Sequence, residues 1–173
     1  MSKARPFDGE EIAPSSFTEA ATQALPRLGE IGLANFAPYL MNRIMGRYNA
    51  SLRDEMAALG LTTAKMRALA TLSVIDRPLI RELAIFSVIE QSTLSRALDG
   101  LAADGLIRRE PDAQDSRATR VQLTPAGRQA FETLWPHMAR AHEEMFHGIP
   151  EDERTAFVTT LQRILQNIRK HDL

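Results

Sequence analysis

The 173-residue sequence contains no cysteine. Disulfides, thiolate metal sites and thiol-based redox sensing are thereby excluded. No apolar run approaches the ~20 residues that span a bilayer, and the N-terminal stretch lacks the apolar core of a signal peptide. A cytoplasmic protein that does not enter the membrane is expected. Charge of one sign is lacking as well: 21 Lys and Arg against 22 Asp and Glu leave a formal net charge of −1. A nucleic-acid reader with that balance must concentrate its positive charge on one face. Catalytic signatures are also missing, with no Gly-rich phosphate loop and no GxSxG elbow. His142-Glu143 does not complete an HExxH motif, because Phe146 stands where the second histidine would be. His137 and His142 are five residues apart, not the four that stack two ligands on one helix face. His137, His142, His147 and His171 are therefore expected at the surface, and no enzyme, metal site or cofactor is expected.

What is present is enough for a core: 44% hydrophobic and 25% charged residues describe an ordinary folded protein, either one domain or a small domain with extra packing helices. Residues 1–16 mix Lys, Arg, Pro, Asp, Glu and Gly without periodicity and read as a mobile tail. A short helix is expected over 17–25, before Pro26. Over 33–59, Phe36, Leu40, Ile44, Tyr48, Leu52 and Met56 recur every four residues, which predicts one helix ended by Gly60. Pro38 belongs in its first turns or marks a kink. Thr62 or Thr63 is the natural cap of the next helix, which Asp76-Arg77-Pro78 breaks.

The stretch 79–125 carries the strongest pattern. A short apolar-periodic helix (Leu79, Leu83, Ala84, Val88) leads through a turn at 87–91 into a second helix over 92–104, with Gln91 or Ser92 as its cap. The first of these helices has Ile80 where a Ser or Thr cap would be expected, with no compensating residue evident from sequence. Leu94, Leu98 and Leu101 form the core stripe of the second, and Gly105 ends it in the left-handed conformation. Strands over 106–110 and 119–123 form a hairpin with a polar tip. Thr124 then caps a helix with Pro125 at its first position, running to about Phe146 with a kink at Pro136. Pro150 opens a last helix with the stripe Phe157, Leu161, Ile164, Leu165 and Ile168. This is the layout of a winged helix-turn-helix, mostly α with a small β-hairpin.

The candidate reading face holds Gln91, Ser92, Thr93, Ser95 and Arg96. The planar fork of Arg96 can pair with guanine O6 and N7. The hydroxyls suit phosphate oxygens or base edges, and a helix N-terminus favours phosphate. The bland alternative is a solvated polar face with Ser92 acting only as a cap. On the hairpin, Arg117 and Arg120 suit a narrow minor groove, and Asp115 is placed to orient the Arg117 guanidinium by a charge-assisted pair. Taken alone, Asp115-Ser116-Arg117 is a surface ion pair of little weight.

These pieces, in this order, resemble the MarR family of bacterial transcriptional regulators over residues 61–127. The resemblance is carried by Leu61-Thr62, Glu82-Leu83-Ala84, Gln91-Ser92-Thr93-Leu94-Ser95-Arg96, the run from Leu101-Ala102-Ala103-Asp104-Gly105 to Leu106-Ile107-Arg108-Arg109, Asp115-Ser116-Arg117, and Val121-Gln122-Leu123-Thr124-Pro125-Ala126-Gly127. Ile80 and Val88 depart from it, standing where the family has a Thr or Ser cap and frequently a Gly. The resemblance implies a homodimer on a pseudo-palindromic operator of double-stranded DNA, usually a repressor released by a small effector, with an aromatic carboxylate or its thioester as the expected class. It further implies a DNA-binding domain over 61–123 and a helical dimerisation region over 17–60 and 124–173. By the same resemblance the effector pocket involves Pro38, Tyr39, Asn42, Arg43, Met45 and Met66. Arg43 would suit a carboxylate and the methionines a flat ring, whereas a Met stripe at helical spacing is usually packing. The lack of cysteine sets the chain apart from the peroxide-sensing branch. The rival reading from another class is a winged-helix protein-interaction module, kept open by the near-zero net charge.

Overall fold

The computed structural model describes residues 25–168. The tail expected over 1–16 and the helix expected over 17–25 lie outside them, apart from Leu25, which is not helical. The chain divides into two compact units, Met1–Arg47 and Tyr48–Leu173.

The described part of the first unit holds helix α1 (Leu28–Ile31), a 3-10 turn at Leu33–Asn35 and most of helix α2 (Ala37–Ser51). Pro38 is the second residue of α2, where its missing N–H costs nothing. The single helix expected over 33–59 is therefore three pieces. After the 3-10 turn and α2, a break at Leu52 (φ −99°, ψ 4°) precedes helix α3 (Arg53–Ala58). The apolar spacing ran through that break because Leu52 and Met56 both still point into the core, at 1% and 5% exposure.

In the second unit, three helices end in the same way. Gly60 (φ +64°) closes α3, with the Gly60 N–H on Ala57 O and the Leu61 N–H on Met56 O. Gly105 (φ +70°) closes helix α6 (Gln91–Ala103) through Gly105 N–H to Ala102 O and Leu106 N–H to Leu101 O. Val88 (φ 53°, ψ 50°) closes helix α5 (Ile80–Ser87) with the same pair of bonds, to Ile85 O and Ala84 O. Each is a Schellman closure, which requires a left-handed residue. Two of the three use glycine, and the third forces a β-branched side chain into that region.

Helix α4 (Thr63–Val74) is capped by Thr62, whose Oγ1 accepts the Lys65 N–H at 3.2 Å. Met66, Ala68, Leu69 and Leu72 turn inward from it. They meet Leu83 of α5 and Leu94, Leu98 and Leu101 of α6, each of these last four fully inaccessible. Burying a leucine this completely contributes about 1.5–3 kcal/mol. Strand β1 (Ile107–Pro111) pairs antiparallel with β2 (Thr119–Leu123), with Ile107 opposite Leu123 and Pro111 opposite Thr119. A bridge between Leu79 and Arg120, with Val121 N–H on Pro78 O, ties this hairpin to the start of α5.

Helix α7 (Pro125–Met145) starts at Thr124. The Thr124 hydroxyl accepts the Gly127 N–H at 3.0 Å and donates to Gly105 O at 2.7 Å, so one side chain joins α7 to the end of α6. Gly127 packs so closely on the residue just before β1 that a Cβ there would lie 1.9 Å from Leu106 O. Pro136 lies inside α7, where it removes one helical N–H. Helix α8 (Glu151–Ile168) leaves Phe157, Leu165 and Ile168 exposed at 43%, 45% and 68%. The fold is mostly helical with a two-stranded hairpin, as the sequence implied, and among the described residues no helix is long and apolar enough to cross a membrane.

Candidate nucleic-acid interface

Helix α6 is two-faced because its buried residues, Leu94, Ala97, Leu98 and Leu101, recur at helical spacing. Ser92, Ser95, Arg96 and Asp99 take the other face and are exposed, as are Gln91 and Thr93. Its N-cap is neither Gln91 nor Ser92 but Glu90. The Glu90 carboxylate accepts the N–H groups of Ser92 and Thr93 at 3.0 and 3.1 Å, a short bond from the Ser92 hydroxyl, and a longer one from the Thr93 hydroxyl at 3.4 Å. The Ser92 hydroxyl and these amides hold the Glu90 carboxyl down at about 2. Glutamate is an uncommon cap, so residue preference alone did not point to it.

Helix α5 solves its own start with the second half of a capping box. Glu82 Oε2 accepts the Leu79 N–H at 2.9 Å, so Leu79 is the N-cap and the missing Ser or Thr is compensated from three residues downstream. That Glu at the third position was the readable signal.

The hairpin tip is organised by Asp112, a residue the sequence pattern did not single out. Asp112 Oδ1 accepts the N–H groups of Gln114 and Asp115 at 3.0 and 2.9 Å, and its Oδ2 takes the Arg120 Nε–H. These bonds hold the Asp112 carboxyl below the usual range, the Gln114 amide contributing most and the Arg120 guanidinium next. Arg120 also donates to Arg77 O at 2.8 Å. Its guanidinium is thus a brace between the wing and the loop before α5. Asp115 Oδ1 accepts the main-chain N–H of Arg117 at 3.0 Å and no ion pair forms between the two side chains. The expected orientation of the Arg117 guanidinium by Asp115 is therefore corrected: Asp115 shapes the turn, and the Arg117 side chain is exposed.

Most cations of the reading head have an acidic partner: Lys65 with Asp104, Arg77 and Arg108 with Glu110, and Arg109 with Asp99 at 2.8 Å. Arg96 and Arg117 have none among the described residues, and both are exposed. Charge pairing thus leaves one uncompensated arginine on α6 and one on the wing.

The other candidate residues fall apart into two groups. Tyr39 and Arg43 line an open groove of about 500 Å³ in the first unit with Leu33, Ala34, Leu40, Ile44 and Arg47. Arg43 Nη1 donates to the Tyr39 hydroxyl at 3.3 Å, with its guanidinium 5.8 Å from the ring centre. Pro38, Asn42 and Met45 are on the same helix but outside that lining. Met66 is in the second unit, 2% exposed within the leucine core. Of the histidines, His137 faces Glu55 at 3.3 Å and His147 is exposed. His142 is half-buried, its Nε2 accepting from Arg154 at 2.6 Å, and His171 lies outside the described residues. Among the described residues no group of three His, Asp or Glu side chains could hold a metal ion.

Known proteins share this arrangement. The MarR family model matches residues 61–119. A MarR-family transcriptional regulator of known structure from Silicibacter pomeroyi is 64% identical over 86% of this chain and all of its own, with a TM-score of 0.80. The HTH-type transcriptional repressor IacR of Pseudomonas putida is 26% identical over 82% of each chain. BpsR of Bordetella bronchiseptica, whose structure is described in terms of regulation of DNA binding by 6-hydroxynicotinic acid, is 26% identical over 74% of this chain and 97% of its own, with a TM-score of 0.66. The chain thus belongs to the MarR family of transcriptional regulators, DNA-binding proteins built on a winged helix-turn-helix.

Proposed function

We propose that the protein is a homodimeric repressor that binds a pseudo-palindromic operator in the cytoplasm and is released by a small aromatic acid or its thioester. The observation that carries the DNA-reading part is the position of two exposed arginines, Arg96 on α6 and Arg117 on the wing. Among the described residues they lack the acidic partners that neutralise Lys65, Arg77, Arg108, Arg109 and Arg120; Arg67 and Arg81, on the helices α4 and α5, lack them too. Arg96 on α6 is the base reader and Arg117 the minor-groove contact. Gln91 and Ser95 flank Arg96 on the reading helix, while Asp115 and Arg120 set the shape of the wing.

The homodimer is supported by apolar surface that one copy leaves uncovered, chiefly Phe157, Leu165 and Ile168 on α8 and Trp135 at 53% on α7. Residues 17–60 and 124–173 are the proposed dimerisation region, and 61–123 the DNA-binding domain. A twofold dimer presents two copies of α6 to major grooves about 34 Å apart. The effector proposal rests on Tyr39 and Arg43 in their groove, with Pro38, Asn42 and Met45 of the same helix as further candidates, and on BpsR, which is named with an aromatic carboxylic acid. Release follows if the effector favours a dimer whose reading helices no longer match the two grooves.

The test is binding of the purified protein to the promoter region beside its own gene and to unrelated duplex, at two salt concentrations. Specific binding that weakens steeply with salt supports the reading, because phosphate contacts release counterions. Absence of binding at low salt overturns it in favour of a protein-interaction module.

A further inference from the structure

A serine hydroxyl has one proton to give and two lone pairs with which to accept. In Ser92 that proton is committed. An ionised carboxylate can only accept, so the bond between Ser92 Oγ and Glu90 Oε2 must run from the serine to the glutamate. The main-chain N–H groups of Ser92 and Thr93 are committed to the same carboxylate at 3.0 and 3.1 Å. A phosphate oxygen is likewise an acceptor only. The first turn of α6 therefore has no free donor to offer the DNA backbone from these groups, and the Glu90 charge repels a phosphate besides. The anion site expected of a helix N-terminus is filled from within the chain.

What the exposed Ser92 Oγ retains is a pair of acceptor lone pairs. In the major groove the only hydrogen-bond donors are the exocyclic amines, N6 of adenine and N4 of cytosine; guanine and thymine present acceptors at the corresponding edge. Thr93 Oγ1, at 3.4 Å from Glu90, is biased the same way more weakly. Glu90 stays ionised throughout the neutral range, its carboxyl being held at about 2.

We propose that Glu90 is a positioning residue that fixes the Ser92 hydroxyl as an acceptor, so that the start of α6 selects adenine or cytosine over guanine or thymine on the strand it faces. This rests on the reading of α6 as the DNA-reading helix, and it replaces a phosphate role for Ser92 with a base-selecting one.

The experiment is selection of binding sites from a randomised duplex pool by the full-length wild type, Ser92→Ala and Glu90→Ala. The position whose preference changes in Ser92→Ala marks the contact. There the wild type should prefer adenine or cytosine by roughly threefold to tenfold, the scale of one neutral hydrogen bond. Replacing that base by its analogue without the exocyclic amine should cost the wild type the same factor and Ser92→Ala nothing. In Glu90→Ala the freed hydroxyl can donate as well as accept, and the preference should fall below about twofold. Circular dichroism reports whether that variant remains folded; Ser92→Ala keeps the cap and decides the base class alone. Guanine or thymine preferred at the Ser92-dependent position overturns the proposal, as does no position depending on Ser92, or full preference in folded Glu90→Ala. Enrichment of no sequence by the wild type overturns the DNA-reading assignment itself, and the proposal with it.

Discussion

Gly127 is the position where the reading head and α7 come closest, and Gly127→Ala is the sharpest probe of that join. An added Cβ would stand 1.9 Å from Leu106 O, 2.8 Å from its carbonyl carbon and 3.2 Å from Leu123 Cδ2. Real Cβ atoms do not approach other atoms within 3.0 Å, so α7 and the start of the wing must separate by at least ~1.1 Å. The same carbonyl accepts the Thr124 N–H at 3.0 Å, and the Thr124 hydroxyl reaches Gly105 O at 2.7 Å. Loosening these bonds costs about 0.5–1.5 kcal/mol each. Overpacking adds about 1–3 kcal/mol, and the better helix propensity of alanine returns up to about 1 kcal/mol. The expected net loss is about 2–4 kcal/mol, read as a urea midpoint lower by about 1–2 M at an unchanged slope near 2 kcal/mol/M. Gly46→Ala is the control. It also lies in a helix, but nothing lies within 4 Å of its added Cβ, and it should stabilise by about 0.5–1 kcal/mol. A loss below about 0.5 kcal/mol in Gly127→Ala would refute the close approach.

Val88→Gly should stabilise by about 1 kcal/mol in the same unfolding assay, since it relieves a left-handed β-branched residue that is 78% exposed and buries nothing; destabilisation would show that the strain is absent. Because the Glu90 carboxyl is depressed from 4.5 to about 2 in the folded chain, its contribution is complete above about pH 4.5 and is lost as pH falls toward 2. Urea midpoints measured down that range should fall more steeply for the wild type than for Glu90→Gln, and parallel curves would remove Glu90 from the acid limb. Arg96→Ala should weaken operator binding by ~1–3 kcal/mol and relax base choice at one position, as read by titration against single-base variants. Uniform loss on every sequence would make it a phosphate contact. Arg117→Ala should lose most affinity on duplexes with AT-rich flanks, and equal affinity there would remove the wing from the interface.

Much of the fold was legible because its boundaries are set by single residues with strong local chemistry. Gly60, Thr62, Gly105 and Thr124-Pro125 each end or begin an element where the sequence placed them, and β2 spans 119–123 as expected. The break at Leu52 was not legible, because i, i+4 spacing is preserved across it. The candidate site was less readable than the fold. Its residue types could be found from pattern, but their commitments depend on which partners the chain folds beside them. Arg120 and Arg117 look alike in sequence, yet one is held by Asp112 and Arg77 O while the other has no acid to pair with. Glu90 and Glu82 both close amides at a helix start where a hydroxyl cap was expected; Glu82 stands at the capping-box position that pattern can find, whereas Glu90 as the cap itself shows only in the folded backbone.

The wing tip carries a thermodynamic consequence. Asp112 holds two amides, Asp115 holds the Arg117 amide, and the Asp112 and Ala118 main chains are bonded across the turn at 2.9 Å. A loop with its main chain already satisfied has little left to fold when it meets DNA. The heat-capacity decrease on binding should then follow the apolar area covered by docking, without the surplus that marks a segment ordering as it binds.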